Sequence, residues 1–384
     1  MTVVNLGDRL ASAKRWAIDD ALPLWASKGF DAKEGLFEEQ LSFDGVPILT
    51  APRRVMVQAR QISVYCLATQ LGWFDGRSLA LMAGQTMVER YWAADGGKGW
   101  VFSLDRNGQV FEKQRDLYAH AFVLFALAWL VKLSPEPQFI EAINRTLWFL
   151  DESLADAING GFWDALPRPD AFRRQNPHMH LLEAYLELFA ATENRGFLDR
   201  AARLVQLSLH HFIGHEHGAL REIFDESWSV SPASGSGSVE PGHQFEWAWL
   251  LRRFDNMSRN QTDDKIRRLV QFALVHGTDR VSGRIVDETS EDGTVRQSRS
   301  RLWPHMEAVK SLTVETVFGG SDYIAELTSI LARVQRVYCP AALKGGWIDH
   351  VSETDCPISV VMPASSLYHI IFGLSEVWGY FGRP

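Results

Sequence analysis

The chain has 384 residues, of which 46% are hydrophobic and 22% are charged, and this composition is too apolar for a disordered protein. Its formal net charge is −8, from 39 Lys and Arg against 47 Asp and Glu, which argues against broad electrostatic capture of nucleic acid. The longest apolar run, residues 119–131, is shorter than the roughly twenty residues that a membrane span requires, so we expect no membrane partner.

The N-terminal segment and the cysteines bear on the cellular compartment. Residues 1–16 carry charges throughout and contain no apolar stretch of signal-peptide length. The three cysteines, Cys66, Cys339 and Cys356, are too few and too scattered for a disulfide framework or a CxxC zinc site. We therefore expect a cytoplasmic protein.

A short motif recurs six times along the chain: a glycine, apolar or aromatic residues, and then an acidic residue. The copies read GLFEEQ, GWVFSLD, GFWDAL, GALREIFDE, GRIVDE and GWIDH, and their central anchors are Phe37, Trp100, Phe162, Leu220, Ile285 and Trp347. Consecutive anchors are 63, 62, 58, 65 and 62 residues apart. Even spacing of this kind indicates a repeat architecture. Six units fill the chain, and we predict one domain over residues 1–384 rather than the two that the length alone suggests.

Between the anchors the sequence follows a helical pattern. Apolar residues recur at i, i+3, i+4 and i+7 in residues 123–131, 181–191, 201–209 and 266–275. Around the anchors, apolar and polar residues alternate and are broken by turn dipeptides, which are Asp44-Gly45, Asn107-Gly108 and Asp292-Gly293. Each unit therefore predicts one short β-hairpin and two helices, or about twelve helices in the whole chain.

Six helix pairs can form an open solenoid or a closed ring. Open solenoids generally have shorter repeats and polar terminal caps. The fourteen Trp residues, together with the aromatic second helix of each unit, favour an inner ring of helices packed around a central cavity. The predicted fold class is therefore all-α: an (α/α)6 barrel of twelve helices with short β-hairpins in the connecting loops.

Each unit places a chemically functional side chain near the start of its second helix. Counting 18 to 23 residues forward from each anchor reaches, in chain order, Arg60, Tyr118, His180, His243, Trp303 and His369. In a ring of parallel inner helices, these helix ends meet at one mouth of the barrel. A pocket of His, Arg and aromatic side chains suits a polyol with apolar ring faces. Tyr118 and Trp303 are equally compatible with an ordinary core.

Three glutamates accompany these side chains. Glu183 and Glu246 follow His180 and His243 by three residues, which puts each pair on one helix face, and Glu307 lies in the first turns of the fifth-unit helix. The glutamates either take part in the chemistry or orient a neighbouring His or Arg. The HxxE spacing resembles a metal-ligand pattern, but no HExxH motif is present, and we predict no metal.

No nucleotide-binding motif is present either. The sequence contains neither GxxxxGK[ST] nor a strand-borne GxGxxG, and GSGS at Gly235–Ser238 resembles a flexible lid rather than a phosphate cradle. We therefore predict no cofactor. Basic residues near the presumed mouth could serve an anionic substituent, but solvated surface charge is the better explanation for them; they are Arg53, Arg54, Lys113, Arg115 and Arg174.

These stretches together resemble the N-acylglucosamine 2-epimerase superfamily, which includes cellobiose 2-epimerases, mannose isomerases and sulfoquinovose isomerases of (α/α)6 fold. The resemblance spans essentially the whole chain and rests on QAR at 58–60, DLYAHAF at 116–122, NPHMHLLEA at 176–184, GHQFEWAWLL at 242–251, RLWPHMEA at 301–308 and PASSLYH at 363–369. The GHxxEW and MHxxEA pairs are its most specific features. The length and the RLWP and YH segments look most similar to the mannose isomerase-like branch.

The resemblance implies roles for particular residues. It implies His243 and His369 as the acid/base pair and a sugar site lined by Arg60, Tyr118, Asn176, His180, Glu246 and Trp303. We count Arg60 and Glu246 among the catalytic residues, and from their helix positions we add Glu183 and Glu307 to the substrate-binding residues. Removal of a proton alpha to a sugar aldehyde requires a positioned base, and neutral imidazole suits that role. Arg60 would stabilise the negative charge that develops on oxygen, and Glu246 would fix the tautomer of His243.

The favoured function is an aldose–ketose isomerase that converts a free reducing sugar such as D-mannose into D-fructose through a cis-enediol. The alternative is a sugar 2-epimerase, which returns the proton to C2 from the opposite face. A glycoside hydrolase that uses two of the carboxylates Glu183, Glu246 and Glu307, or a non-catalytic binding protein, is less favoured. The expected partner is a monosaccharide, without nucleic acid, membrane or cofactor, and the expected state is a monomer or homodimer.

Overall fold

The computed structural model describes residues 5–214, 216–230 and 237–382. Gly235 and Ser236, half of the predicted lid, lie outside the described residues.

The described chain contains twelve helices. Odd-numbered helices form an outer layer: α1 (Leu6–Trp16, continued by a π turn Ala17–Ala21 and by Leu22–Ser27), α3 (Arg77–Tyr91), α5 (Pro137–Phe149 with a π turn Leu150–Leu154), α7 (Arg195–Leu207 with a π turn Ser208–Phe212), α9 (Asp263–His276) and α11 (Ile324–Arg333 with a π turn Val334–Tyr338).

Even-numbered helices form the inner layer. They are α2 (Val55–Gln70), α4 (Leu117–Leu133), α6 (Gln175–Thr192), α8 (Pro241–Ser258), α10 (Leu302–Val317) and α12 (Ser366–Phe381). Each inner helix packs against the next, and α12 packs against α2, so the ring closes. The predicted closed (α/α)6 barrel of twelve helices is confirmed, and the open solenoid is excluded.

The two layers differ in sequence because they differ in surroundings. The inner helix α4 is buried on almost every face, which its continuous apolar sequence LYAHAFVLFALAWLVKL permits. The outer helix α7 buries one stripe, formed by Phe197, Leu198, Ala201, Leu204 and Val205, and turns its arginines to solvent. This contrast places the aromatic helices around the barrel axis.

Short strands surround one mouth of the barrel. Two predicted turns lie in hairpins, Asn107-Gly108 between β5 (Ser103–Leu104) and β6 (Val110–Glu112), and Asp292-Gly293 between β14 (Glu288–Ser290) and β15 (Val295–Gln297). At Asp44-Gly45 the chain makes a tight turn in which the Gly45 N–H donates to the Ser42 carbonyl at 2.9 Å. The hairpins at these turns therefore match the alternation in the sequence.

Most of the remaining strands pair between units. The others are β1 (Phe30–Asp31), β2 (Leu36–Phe37), β3 (Gln40–Leu41), β4 (Arg53–Arg54), β7 (Arg115–Asp116), β8 (Ala165–Leu166), β9 (Arg173–Arg174), β10 (Ile223–Phe224), β11 (Ser238–Val239), β12 (Thr278–Asp279), β13 (Arg284–Ile285), β16 (Ser300–Arg301), β17 (His350–Val351) and β18 (Met362–Pro363). The strand before each inner helix pairs with a strand of the next unit, as β4–β5, β7–β8, β9–β10, β11–β14, β16–β17 and β18–β3. The last pair joins the final unit to the first, so the strands close the ring a second time.

A repeated hydrogen bond explains why the anchors recur. The anchor N–H donates to the side chain of the fourth residue of the inner helix in its own unit. That acceptor is Gln58 for Phe37 at 2.7 Å, Gln244 for Leu220 at 3.2 Å, and a histidine in three other units. The histidines are His120, His178 and His305.

These three histidines are structural. In each, Nε2 accepts from the anchor N–H, and Nδ1 lies 2.7–3.0 Å from the carbonyl four residues earlier. Burial lowers the pKa of His120 to about 4 and of His178 and His305 to about 3, so all three are neutral at physiological pH. They hold the anchors on the barrel and do not face the cavity described below.

Candidate active site

A cavity of about 230 Å³ opens at the mouth that the strands surround. Eight of the ten predicted site residues line it: Arg60, Tyr118, Asn176, His180, His243, Glu246, Trp303 and His369. Glu240 and Arg301, which the sequence did not single out, complete the wall. All six inner helices contribute at least one of these side chains. The cavity is therefore formed by the first turns of the inner ring.

The lining residues of the inner helices occupy two levels: the first helical turn, in which His243 lies at position three, and the second turn. One recurring backbone hydrogen bond aligns the units. The N–H at the start of an inner helix donates to the carbonyl of the residue two after the next unit's anchor, as Val55 donates to Phe102 and Ala364 donates to Glu39. The residue that donates this hydrogen bond is position one of its helix. By this register Arg60, His180, Glu246, Glu307 and His369 occupy position six of their helices. Tyr118, Asn176 and Trp303 occupy position two. Residues four apart share one helix face, so both levels point to the same axis.

Arg60 is a buried cation held against aromatic rings. Its guanidinium donates to the Tyr118 hydroxyl at 2.5 Å and to the Ser365 carbonyl at 3.2 Å. The same group lies 4.1 Å from the centre of the Phe122 ring. Described contacts give it no carboxylate partner, so its positive charge is available to an oxygen anion in the cavity.

His243 is held by carboxylates. Its Nδ1 lies 3.0 Å from both oxygens of Glu222, which is two residues after the anchor Leu220. Burial acts to lower the pKa of His243, but the carboxylates of Glu222 and Glu240 overcome it and raise the pKa to about 10. His243 is therefore an imidazolium at neutral pH. The prediction that Glu246 fixes the His243 tautomer is wrong, because Glu222 occupies Nδ1.

His369 is held by one carboxylate that also contacts a lysine. Its Nδ1 lies 2.7 Å from Glu307 Oε1, and Lys310 Nζ lies 2.7 Å from the other oxygen of the same carboxylate. Burial lowers the pKa of His369 to about 4, against the opposing effect of Glu307. At neutral pH the ring is uncharged, with its proton on Nδ1 and its Nε2 unprotonated.

His180 and the remaining glutamates form the floor. His180 Nδ1 lies 3.3 Å from Glu183 Oε2 and 3.7 Å from Glu246 Oε1, and burial lowers its pKa to about 4. The Tyr368 hydroxyl donates to Glu183 Oε1 at 2.5 Å. Burial and the nearby Glu307 raise the pKa of Glu246 well above its ordinary value.

Two residues predicted to bind substrate do not line the cavity. Glu183 and Glu307 are almost completely buried beneath it, at 1% and 0% exposure. Each bonds a histidine from below, which agrees with the orienting role that the sequence left open. Glu307 lies one helical turn from Trp303, whose ring lines the cavity in its place.

The Trp303 ring lies close to both His243 and His369. Its ring centre lies 5.0 Å from that of His243 and 5.7 Å from that of His369. The two imidazoles therefore reach one cavity from different inner helices, on either side of one indole. An exposed aromatic face between two polar groups suits a sugar ring.

Four residues of the site escaped sequence reasoning: Glu222, Glu240, Arg301 and Lys310. Glu222 had a signal in the repeat, because the residue two after the anchor is acidic in five of the six units, as Glu39, Asp164, Glu222, Asp287 and Asp349. These carboxylates lie behind the strands at the mouth, and Glu222 alone among them bonds a histidine that lines the cavity. Glu240 and Arg301 also had a signal, because the residue directly before the inner helix is charged in five units, as Arg54, Asp116, Arg174, Glu240 and Arg301. Lys310 has no periodic signal.

Two groups of side chains in the described chain have donor atoms close enough to hold a metal ion. They are His180 with Glu183 and Glu246, and His243 with Glu222 and Glu240. In the first, Lys310 Nζ lies 4.0 Å from Glu183, and in the second the imidazolium of His243 contacts Glu222 directly. Both groups therefore already contain a balancing cation.

The described helices include none that is both long and apolar enough to cross a bilayer.

Comparison with known proteins gives consistent results. A 33% identical relative over 376 residues, covering 94% of this chain and 95% of the relative, is the mannose-6-phosphate isomerase of Rhizobium meliloti (strain 1021). A D-mannose isomerase of Thermobifida fusca is 30% identical over 166 residues, 40% of each chain.

Solved structures show the same fold. A D-mannose isomerase superposes with a TM-score of 0.86 at 20% identity, covering 96% of this chain and 97% of that one. A cellobiose 2-epimerase from Spirochaeta thermophila DSM 6192 gives 0.82 at 20% identity, covering 96% of both chains. The model of the N-acylglucosamine 2-epimerase (GlcNAc 2-epimerase) family matches residues 35–373. The chain belongs to the N-acylglucosamine 2-epimerase family, and it is a sugar isomerase or epimerase.

Proposed function

We propose that this protein is an aldose–ketose isomerase that interconverts D-mannose and D-fructose, with His369 as the base and His243 as the acid. The observation that carries the proposal is the contrast between the two histidines. Both contact Trp303 in one cavity. Burial keeps His369 neutral against the effect of Glu307, which holds its Nδ1 and leaves Nε2 unprotonated, whereas the carboxylates of Glu222 and Glu240 keep His243 charged. Titratable groups whose pKa values are pushed apart identify an acid and a base.

The reaction moves one proton from C2 to C1 and one from O2 to O1 of the open-chain sugar. His369 Nε2 takes the C2 proton, the electrons of the C2–H bond form the C1=C2 bond, and O1 receives a proton from His243. The resulting cis-enediol then accepts the first proton back from His369 at C1, while neutral His243 removes the O2 proton. Both histidines return to their starting states, and no redox cofactor is consumed.

Arg60 stabilises the negative charge that develops on the sugar oxygens during these proton transfers. Its guanidinium is fixed by Tyr118 and Ser365, so it does not reorganise when charge develops on oxygen. The fixed positive charge in the cavity therefore stabilises a negatively charged sugar oxygen more than the neutral oxygen of the bound substrate.

An uncharged sugar fits the mouth better than a phosphorylated one. The predicted mouth arginines are bound by carboxylates: Arg53 by Asp31 and Glu38, Arg54 by Glu39, Arg115 by Asp95, and Arg174 by Asp164 and Asp170. Arg53 and Arg115 are buried rather than solvated. Two arginines of the cavity wall lack a close carboxylate: Arg60, which is held by Tyr118 and Ser365, and Arg301, for which Asp287 lies 3.8 Å away. Arg301 is the observation that favours the second candidate, isomerisation of mannose 6-phosphate, the activity in the name of the 33% identical relative.

A glycoside hydrolase is less consistent with the cavity. Retaining and inverting hydrolases need two carboxyl groups facing the glycosidic bond. Of the three glutamates considered for that role, only Glu246 lines the cavity, and Glu183 and Glu307 bond to buried groups beneath it. Glu240 also lines the cavity, but its carboxylate acts on the neighbouring imidazole, where it helps to raise the pKa of His243.

The test is incubation of the protein with D-mannose in D₂O near neutral pD, followed by ¹³C and ¹H NMR. We expect D-fructose carrying deuterium at C1, and slower turnover of mannose 6-phosphate. Glucose deuterated at C2 would identify a 2-epimerase. Conversion of mannose 6-phosphate alone would establish the second candidate, and failure with both sugars would contradict the proposal.

A further inference from the structure

A buried charge cluster lies beneath the cavity floor. It consists of Lys310, Glu183, Glu246 and Glu307, contributed by helices α10, α6 and α8, and none of the four side chains is more than 1% exposed. Among the described residues of this cluster there is one lysine and three carboxyl groups. A charged amine is rarely buried to this extent unless it is paired. The cluster therefore needs an explanation beyond packing.

Lys310 connects two of the histidines that line the cavity. Its Nζ lies 2.7 Å from Glu307 Oε2, and Glu307 Oε1 lies 2.7 Å from His369 Nδ1. On the other side Nζ lies 4.0 Å from Glu183 Oε1, and Glu183 Oε2 lies 3.3 Å from His180 Nδ1. The lysine also lies 3.8 Å from the ring centre of Trp249, a cation–π contact that fixes it from below.

We propose that Lys310 is a positioning residue of the sugar site: it keeps Glu307 ionised, so that His369 carries its proton on Nδ1 and presents an unprotonated Nε2 to the substrate. The effect of Lys310 on catalysis rests on the proposed function, in which His369 is the base. Lys310 does not line the cavity and touches no substrate atom. It acts through the carboxylate.

The charges facing Glu307 show why the lysine is needed. Without it, Glu307 would be a fully buried carboxylate beside the carboxyl groups of Glu183 and Glu246, and burial by itself favours protonation. A protonated Glu307 would donate to Nδ1 instead of accepting from it. The imidazole proton would then move to Nε2, and His369 could not act as a base.

Several titratable groups surround Glu307, His369 and Lys310, and one of them is Glu376 of α12, on which the charge of Lys310 acts. Helix α12 contributes His369 and Tyr368, α10 contributes Lys310, and the groups from the neighbouring inner helices are Arg60, His180, Glu183, His243 and Glu246. Burial acts to raise the pKa of Glu307, but Lys310 and the bond from His369 bring it below its ordinary value. Lys310 is the cation in direct contact with that carboxylate.

The test is Lys310→Met, which preserves volume and removes the charge. We expect kcat to fall by about 10²-fold, within the range for loss of a general base, with a much smaller change in KM. The acid limb of the kcat/KM profile should move to higher pH by about one unit or more, because Glu307 must now lose a proton before His369 can act. Raising the pH should restore part of the rate.

Arg252→Met is the matched control. Arg252 is a buried cation on α8 that donates to Glu315 of α10 at 2.7 Å, and it does not line the cavity. Loss of this pair removes a comparable buried contact without touching the histidines. We expect lower thermal stability but an unchanged pH profile. An equal shift of the acid limb in Arg252→Met would overturn the inference.

A second readout needs no substrate. In ¹⁵N-histidine NMR of the free protein, with His369 assigned by comparison with His369→Gln, we expect the Nδ1–H tautomer in the parent and the Nε2–H tautomer in Lys310→Met near neutral pH. If Lys310→Met does not fold, Lys310→Gln is measured in the same way. An unchanged His369 tautomer in a folded variant would overturn the role of Lys310, whether or not D-mannose proves to be the substrate.

Discussion

His243 and His369 lie on either side of Trp303 and are equally buried, with 5% of each residue exposed, yet their surroundings impose opposite charge states. The wall behind His243 supplies two carboxylates, Glu222 and Glu240. Behind His369, the single carboxylate of Glu307 is shared with Lys310. Burial alone would make both rings neutral. The difference therefore arises from the count of carboxylates and cations that each wall provides.

The contrast shows how a sixfold repeat produces an asymmetric site. The same first helical turns recur around the ring, and an acidic residue follows most anchors, but only one unit turns that acid toward a cavity histidine. The acid and the base of the proposed reaction thus differ in their partners and not in their residue type.

The largest effect is expected from removing either imidazole. We predict that His369→Gln and His243→Gln each lower kcat for D-mannose isomerisation by about 10²–10⁴-fold, the usual contribution of a general acid or base. Steady-state assays and circular dichroism would separate loss of catalysis from loss of folding. Substantial activity in both folded variants would remove the proposed mechanism.

A smaller effect is expected from changing the wall behind His243. Glu222→Gln keeps the hydrogen-bonding shape but removes one carboxylate, so the pKa of His243 should fall from about 10 toward its ordinary value. Because His243 acts in its protonated form, the basic limb of the kcat/KM profile should move to lower pH by about 1–3 units. The acid limb, which belongs to the His369 wall, should stay in place. A profile with both limbs unmoved would show that Glu222 does not set the charge of His243.

The smallest effect on activity is expected at the structural histidines. At the position of His305, two other units carry Gln58 and Gln244, which accept the same anchor hydrogen bond. We predict that His305→Gln changes the free energy of unfolding by no more than about 1 kcal/mol and leaves kcat unchanged.

His305→Ala provides the contrast. It leaves the Ile285 N–H and the Arg301 carbonyl without their partner and opens a cavity, so we expect a loss of about 2–4 kcal/mol in denaturant unfolding. A loss of catalysis in His305→Gln, measured under conditions where the protein is folded, would contradict the assignment of His305 to the scaffold.

Sequence reasoning reached the fold because the anchors recur at an even spacing that only a repeat produces. It also found the side chains that the inner helices bring to the mouth, since they lie in the first turns of those helices. It could not separate position two from position six, because a step of four residues returns to the same helix face. The pairing of Glu222 with His243 depends on how a loop folds back on the next helix, which no local pattern specifies.

The partner of His369 was beyond sequence reasoning for a different reason. Glu307 and Lys310 are 62 and 59 residues from His369 and lie on the preceding inner helix, so the contact arises only when α12 packs against α10. The lysine also has no counterpart in the repeat. Its burial, rather than its place in the sequence, draws attention to it.

Neutron diffraction of the free protein near neutral pH tests the central claim most directly, because it places the exchangeable protons on each imidazole. We predict deuterium on both ring nitrogens of His243 and on Nδ1 alone of His369. Two identical protonation states, or a deuterium on Nε2 of His369, would contradict the assignment of acid and base.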